Sequence, residues 1–152
     1  MKLRAFFGAA LLVATVSMPA IADDDPAIGQ RQGQFKLFVH NFGALGSMVQ
    51  GRIDYDADLA ATAAQNLYHV SRHDQGRLWP EGTGSNNADG TRARPEIWEN
   101  LDDFMQKFVD MQDAVEALQP VAGDGLDALR PVFGAVAGTC QACHETYREE
   151  SS

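Results

Sequence analysis

The feature that most constrains the fold is the spacing of apolar side chains in the second half of the chain. Between Pro95 and Pro120 they recur at alternating steps of four and three residues, and the run from Leu129 to Tyr147 repeats this alternation. Such spacing aligns apolar side chains along one face of a helix. Two segments nearer the N-terminus also have a helical period, and no segment alternates strictly as a half-buried strand does. The sequence therefore predicts an all-α fold.

Capping and helix-stopping residues give approximate bounds for four helices. The predicted bounds are Asp25 to about Gln50 for helix A, after Asp54 to about His73 for helix B, Pro95 to just before Pro120 for helix C, and after Gly125 to Tyr147 for helix D. The residues predicted to face inward on helices A to C are Ile28, Phe35, Phe38, Val39, Phe42, Leu45 and Val49, then Leu59, Ala63, Asn66, Leu67 and Val70, then Ile97, Leu101, Phe104, Phe108, Met111, Val115 and Leu118. Four amphipathic helices in one domain predict an antiparallel four-helix bundle.

A segment rich in turn-forming residues, 79–90, separates helices B and C. Loops of this length are usually functional or disordered. An ordered crossover wrapped over the bundle is favoured here, because Leu78 and Trp79 can bury its start in the core. Pro131 is expected either to kink helix D near its start or to mark its first proper turn.

The first 22 residues have the pattern of a cleaved secretory signal peptide. A short basic start is followed by an apolar run of about 14 residues and by Ala20-Ile21-Ala22, a small-x-small cleavage site. A membrane anchor is the alternative, but it needs about 20 apolar residues. We expect cleavage after Ala22, a mature domain over residues 23–152 without membrane insertion, and a periplasmic location.

The acidic composition bears on possible partners. The full chain has 12 basic and 21 acidic side chains, and loss of Lys2 and Arg4 with the signal peptide leaves a net charge of about −11. Nucleic acid is therefore excluded as an expected partner. The acidity is explained either by solubility or by attraction of a basic redox partner protein.

Both cysteines lie in one run, Cys140-Gln141-Ala142-Cys143-His144, which is the attachment pattern of c-type haem. Residues three apart on a helix share a face, so the two thiols can add to two vinyl groups on one edge of the porphyrin. The neutral imidazole of His144 can then bind the iron. We predict one haem c, attached covalently through Cys140 and Cys143.

Three other uses of this run fit the sequence less well. A thioredoxin-like pair needs a strand leading into a helix N-terminus, whereas this run lies near the end of an all-helical chain. A zinc site would need further ligands from His40, His69 and His73, which are far apart in sequence. A plain disulfide leaves His144 unexplained.

The sixth coordination position of the iron is expected to be open. Met48 lies 13 residues beyond Phe35 on helix A, about 20 Å along the axis, if Phe35 is level with the haem. Met105 falls off the inner face of helix C, while Met111 lies on it and is more often core than ligand. His40 points away from the face that carries Phe35. Eight aromatic residues are candidates for an apolar wall around the haem: Phe35, Phe38, Phe42, Trp79, Trp98, Phe104, Phe108 and Phe133.

The mature chain resembles cytochrome c′, the class II c-type cytochromes, over nearly its whole length. The resemblance is carried by five segments: 31–32, 79–83, 94–98, 123–124 and 140–148. It implies thioether bonds at Cys140 and Cys143 and iron bound by His144. The chain departs from the family pattern at Pro131 and in the four glycines of helix A.

The resemblance also implies roles for residues away from the attachment run. Arg148 is expected to lie beside His144 on the proximal face, and Phe35 to cover the vacant site on the distal face. Low-spin relatives place a methionine ligand near the position of Phe35. The expected contacts with the haem edge and its propionates are Arg31, Gln32, Arg92 and Arg94.

The leading functional hypothesis is a high-spin haem protein that sequesters or carries nitric oxide or carbon monoxide. An aromatic ring over the iron obstructs ligands and donates no hydrogen bond to dioxygen. The alternative is a one-electron carrier in a respiratory or photosynthetic chain. An enzyme is a weaker hypothesis, since no distal acid-base residue is evident. A homodimer through helices A and B is implied by resemblance alone.

Overall fold

A computed structural model describes residues 25–150. Its helices are α1 (Pro26–Val49), α2 (Ala57–Ser71), α3 (Glu96–Glu99), α4 (Leu101–Leu118) and α5 (Leu126–Tyr147). The four long helices form a ring of contacts, α1 with α2, α2 with α4, α4 with α5 and α5 with α1. This arrangement confirms the four-helix bundle. None of the helices in residues 25–150 is long and apolar enough to cross a membrane. The predicted signal peptide lies outside the described residues.

The helix starts follow from local capping chemistry. Asp25 accepts a hydrogen bond from the Ala27 amide at 2.8 Å, and a proline follows it at the start of α1, as predicted. Helix α2 begins later than predicted because Asp56, and not Asp54, is the cap: its carboxylate accepts from the Leu59 amide at 2.9 Å.

Helix C was predicted as one helix from Pro95, but the structure breaks it at Asn100. The backbone of Asn100 is not helical (φ −134°, ψ 50°), so the short α3 ends there and α4 begins at Leu101. Just before the break, the Trp98 indole N–H donates to the Trp79 carbonyl at 3.1 Å. The inner face is kept across the break, since Ile97 and Phe104 are both buried, but Leu101, which was predicted to face inward, is 42% exposed.

Three other predicted inner positions are also exposed: Val39 at 72%, Leu59 at 41%, and Asn66. The buried face of α2 includes the predicted Ala63 and Leu67, together with Ala60, Ala64 and Ser71. Three of these five side chains are alanines, and short side chains let α2 pack closely on its neighbours. The sequence misled here because Leu59 is larger and more apolar than the alanines that are buried.

Glycine and proline inside the helices have different consequences. A Cβ at Gly46 would lie 3.1 Å from the Phe133 ring, so this glycine makes room for Phe133 to stack on Phe42 at 4.2 Å between ring centroids. The other three glycines of α1 face open space. Helix α5 begins at Leu126, which places Pro131 in its second turn and not its first.

The crossover, residues 72–95, is ordered and lies over one end of the bundle, as predicted. Leu78 and Trp79 are both buried within the main apolar cluster. The far end of the crossover pairs with the chain after α5: the Arg94 amide donates to the Tyr147 carbonyl at 3.1 Å, and the Glu149 amide to the Arg92 carbonyl at 2.9 Å. The crossover therefore closes the bundle at the end where the cysteine run lies.

Candidate haem-binding site

A cavity of about 550 Å³ opens between the four long helices near the crossover. This volume falls within the range of about 300–1,000 Å³ that is typical of ligand-binding pockets. Its apolar lining is Phe35, Phe38, Val39 and Phe42 from α1, Leu67 from α2, Phe108, Met111 and Val115 from α4, and Val136 and Ala137 from α5. A predominantly apolar cavity of this size suits a flat apolar cofactor with a few polar groups.

The end of α5 brings the cysteine run into this cavity. Cys140, Cys143 and His144 all line it, and both thiols are free. The two cysteines are three residues apart on a continuous helix and so project from one face. The structure therefore brings together the three residues that the sequence assigned to covalent attachment and iron ligation.

Burial sets the protonation of these groups. It raises the pKa of the Cys143 thiol to about 11 and also raises the pKa of Cys140. Half-buried, protonated thiols argue against a thioredoxin-like pair, which depends on a stabilised thiolate. Burial, followed by the charges of Arg148 and Arg92, lowers the pKa of His144. The imidazole is therefore held in the neutral form that binds metals.

The zinc alternative finds no support. Within residues 25–150, no three or more His, Cys, Asp or Glu side chains come together as a possible metal site. His40, His69 and His73 are all exposed on the surface. The His69 ring is hydrogen-bonded to Gln65 at 2.7 Å, and the His73 ring contacts the Asp74 carbonyl at 2.9 Å.

The eight predicted wall aromatics divide into two groups. Phe35, Phe38, Phe42 and Phe108 line the cavity. The other four pack behind it, in contact with the apolar cluster or within it; they are Trp79, Trp98, Phe104 and Phe133. Sequence periodicity identifies inward-facing aromatics, but it does not distinguish the cavity surface from the core behind it.

The five arginine and glutamine contacts predicted by resemblance are placed differently from one another. Arg148 lines the cavity beside His144. Arg92 is near enough for its charge to lower the pKa of His144. Arg94 donates to the Thr146 carbonyl at 3.2 Å, and Gln32 donates to the Gly90 carbonyl at 2.6 Å. Direct haem contacts of Arg31, Gln32, Arg92 and Arg94 remain predictions, since none of these four lines the cavity.

Arg31 has partners within the chain that the sequence did not predict. Its side chain is 2% exposed, and its Nη1 and Nη2 groups donate to the crossover at the Leu78 carbonyl, the Thr83 carbonyl, the Thr83 hydroxyl and the Thr91 hydroxyl. A guanidinium has four Nη–H donors, and these four contacts use all of them. In this structure Arg31 joins α1 to the crossover.

Lys107 is a cavity residue that the sequence reasoning missed. It lines the wall from α4, and its ammonium lies 3.6 Å from Asp103, whose other carboxylate oxygen accepts from the Tyr147 hydroxyl at 2.6 Å. The signal in the sequence was its place between the inward-facing Phe104 and Phe108. A long lysine can cover apolar surface with its stem while its charge reaches water.

Comparisons with known proteins agree with this site. The sequence profile of the family described as cytochrome c′ matches residues 26–148. Two proteins of Cereibacter sphaeroides are similar over most of the chain: cytochrome c-554 (37% identity, 93% of this chain and 95% of that protein) and cytochrome c′ (35% identity, 92% and 94%). The structure of a cytochrome c′ from Rhodobacter sphaeroides has a TM-score of 0.82 at 35% identity, covering 86% of this chain and all of that one. The chain therefore belongs to the cytochrome c′ family of four-helix-bundle proteins, and its cofactor is haem c.

Proposed function

We propose that this protein is a periplasmic, high-spin haem protein whose iron has one protein ligand, His144, and whose open face binds nitric oxide and carbon monoxide. Family membership makes it a haem-binding protein of the electron-carrier type. One observation supports an open face most directly. Every residue that α1 contributes to the cavity, Phe35, Phe38, Val39 and Phe42, lacks an atom that can bind iron.

The proposed attachment uses the residues at the end of α5. Cys140 and Cys143 would form the two thioether bonds, and His144 would bind the iron from the same helix. The haem iron supplies the binding of a diatomic gas. The chain orients it through His144, keeps it in an apolar cavity, and carries the cationic Arg148 beside the histidine.

Phe35 would control which ligands reach the iron. Its ring is apolar and offers no hydrogen bond, so it does not stabilise bound dioxygen. A ligand that approaches along α1 must displace a bulky side chain, which favours small diatomic molecules. Two structures of variants of cytochrome c′ from Alcaligenes xylosoxidans are nitric oxide complexes, and both match this chain with a TM-score of 0.72, at 32% and 34% identity.

Met111 is a cavity residue that could contradict an open face, because its thioether is a known type of haem ligand. Met48 and Met105 are not part of the lining. Met111 lies between Phe108 and Val115 on the inner face of α4, where it is 8% exposed. We propose that it fills apolar space and leaves the iron free.

A titration of the ferrous protein with carbon monoxide tests the role of Phe35. In Phe35→Ala the obstruction is removed, and we expect the affinity to rise about tenfold, equivalent to about 1.4 kcal/mol. Met111→Leu keeps the volume and removes the sulfur, and we expect an unchanged ferric high-spin spectrum. Unchanged carbon monoxide affinity in Phe35→Ala would remove Phe35 from its distal role.

The periplasmic location and the dimer need their own measurements. Mass spectrometry of the protein purified from a periplasmic extract should give a chain that begins at Asp23; a chain beginning at Met1 would exclude export by cleavage. A homodimer through α1 and α2 is proposed because both helices expose large apolar side chains, including Leu37 at 53%. Analytical ultracentrifugation should give twice the chain mass, and Leu37→Glu should shift it to the monomer.

A further inference from the structure

Trp79 packs behind Phe35 without lining the cavity itself. The two ring centroids are 6.3 Å apart, with an angle of 70° between the rings. Trp79 is 8% exposed, whereas Phe35 forms part of the cavity wall. A movement of Phe35 away from the cavity centre therefore meets the indole of Trp79.

The indole is itself held on several sides. The Phe104 ring meets it edge-on at 4.6 Å between centroids, and the Phe108 ring lies at 6.2 Å. The guanidinium of Arg31 lies over the indole at 4.7 Å from its centroid. The backbone of Trp79 is held too, because its carbonyl accepts the Trp98 indole N–H at 3.1 Å.

Arg31 connects this arrangement back to Phe35. The two residues are four apart on α1 and so project from the same face, one turn from each other. Arg31 bonds only to neutral oxygens of the crossover, at 2.6–3.3 Å. The Trp79 indole therefore packs against Arg31 and Phe35, which share one face of α1. The crossover that carries Trp79 is also hydrogen-bonded to α1 through Arg31.

We infer that Trp79 is a positioning residue that limits the movement of Phe35 and thereby sets the affinity for diatomic gases. This inference rests on the proposed function. Packed interiors are dense and transmit strain, so a ring backed by a bulky, fixed neighbour yields at a higher cost than one backed by a small neighbour. Gas affinity would then be controlled in part from the crossover, by a residue outside the cavity.

The test compares carbon monoxide affinity in five variants of the haem-loaded protein. Trp79→Leu should raise the affinity about fivefold, and Trp79→Phe, which keeps a smaller ring, should give a smaller rise. The double variant Trp79→Leu with Phe35→Ala should bind no more tightly than Phe35→Ala alone, because residues that act through one another are not additive. Phe133→Leu is the matched control: Phe133 stacks on the wall residue Phe42 at 4.2 Å and does not line the cavity.

Two readouts separate positioning from a general loss of packing. Unfolding in guanidinium chloride should show that Trp79→Leu and Phe133→Leu are both destabilised, while the affinity changes in Trp79→Leu alone. A crystal structure of ligand-free Trp79→Leu should show the Phe35 ring displaced toward the vacated volume. If Trp79→Leu does not fold, the carbon monoxide affinity of Trp79→Phe is used for the test.

The outcomes distinguish the two proposals. If Phe35→Ala raises the affinity and both folded Trp79 variants behave like wild type or like Phe133→Leu, the role of Trp79 is wrong and the proposed function stands. Additive effects in the double variant would also overturn the role, because Trp79 would then act independently of Phe35. If Phe35→Ala has no effect while the protein still binds carbon monoxide, the distal role of Phe35 is wrong, and the role of Trp79 fails with it.

Discussion

The two walls of the cavity that α5 and α1 provide differ in chemistry. The α5 wall supplies two thiols and an imidazole, from Cys140, Cys143 and His144, and Arg148, the residue that follows the helix, adds a guanidinium. The α1 wall supplies only carbon, from three phenylalanines and a valine. One cavity therefore has a side that can hold a cofactor by bonds and a side that can act only through shape. This asymmetry is what separates a haem with an open face from a haem ligated on both faces.

The two walls also differ in how they are held. The α5 residues occupy consecutive turns of one helix, so local spacing alone places them on one face. Phe35 depends on partners far away in sequence, above all Trp79 in the crossover. Local sequence spacing thus specifies the α5 wall, whereas tertiary packing specifies the α1 wall.

Removing the bonding chemistry of α5 should have the largest effect. In the double variant Cys140→Ala with Cys143→Ala, no thiol remains to add to the porphyrin, and we expect complete loss of covalent haem. Haem staining on a denaturing gel and the mass of the denatured chain check this, with each single variant expected to retain one bond. Covalent haem in the double variant would refute attachment at these positions.

Giving the α1 wall a ligand should abolish the asymmetry. Phe35→Met places a thioether in the α1 wall with little change in volume. Low-spin members of the class have a methionine ligand near this position. We expect a low-spin ferric spectrum and a carbon monoxide affinity reduced about tenfold or more, equivalent to at least about 1.4 kcal/mol. A spectrum that stays high-spin would show that Phe35 does not lie over the iron.

A smaller effect is expected where α5 ends against α4. Burial, followed by the hydrogen bond to Asp103, raises the pKa of Tyr147 to about 12. The raised value means that this tyrosine stabilises the fold below its unfolded pKa of about 10 and loses that contribution as the pH rises to about 12. The same hydrogen bond lowers the pKa of Asp103, so its contribution is present at neutral pH and is lost in acid.

Tyr147→Phe should therefore flatten the pH dependence of stability at both ends. Guanidinium unfolding of wild type and variant at acid, neutral and alkaline pH measures it, and the difference between the two should be greatest at neutral pH. A difference that is constant across pH would mean that the hydroxyl contributes only uncharged packing.

The sequence was a good guide wherever the determining contacts are local. The bundle, the cap at Asp25 and the cavity position of Cys140, Cys143 and His144 all follow from patterns within a few residues. The break at Asn100 was missed because it accompanies contacts between Trp98 and the distant Trp79.

Contacts across the fold decided the remaining details. The haem-edge contact of Arg31 stays a prediction, but its hydrogen bonds to a segment about 50 residues away in sequence were not predicted. Lys107 was overlooked because a charged residue beside an apolar seam is usually solvated, whereas here its side chain is 26% exposed and covers part of the cavity wall. The periodicity of a single helix does not predict the contacts of either Arg31 or Lys107.

The central claim is that the two faces of the haem differ, one bound by His144 and the other open beneath Phe35. Absorption and electron paramagnetic resonance spectra of the purified protein, ferric and ferrous, alone and with nitric oxide or carbon monoxide, test it most directly. The account predicts high-spin iron in both oxidation states and binding of both gases by the ferrous protein. A low-spin, six-coordinate spectrum that neither gas alters would contradict it and would favour a one-electron carrier.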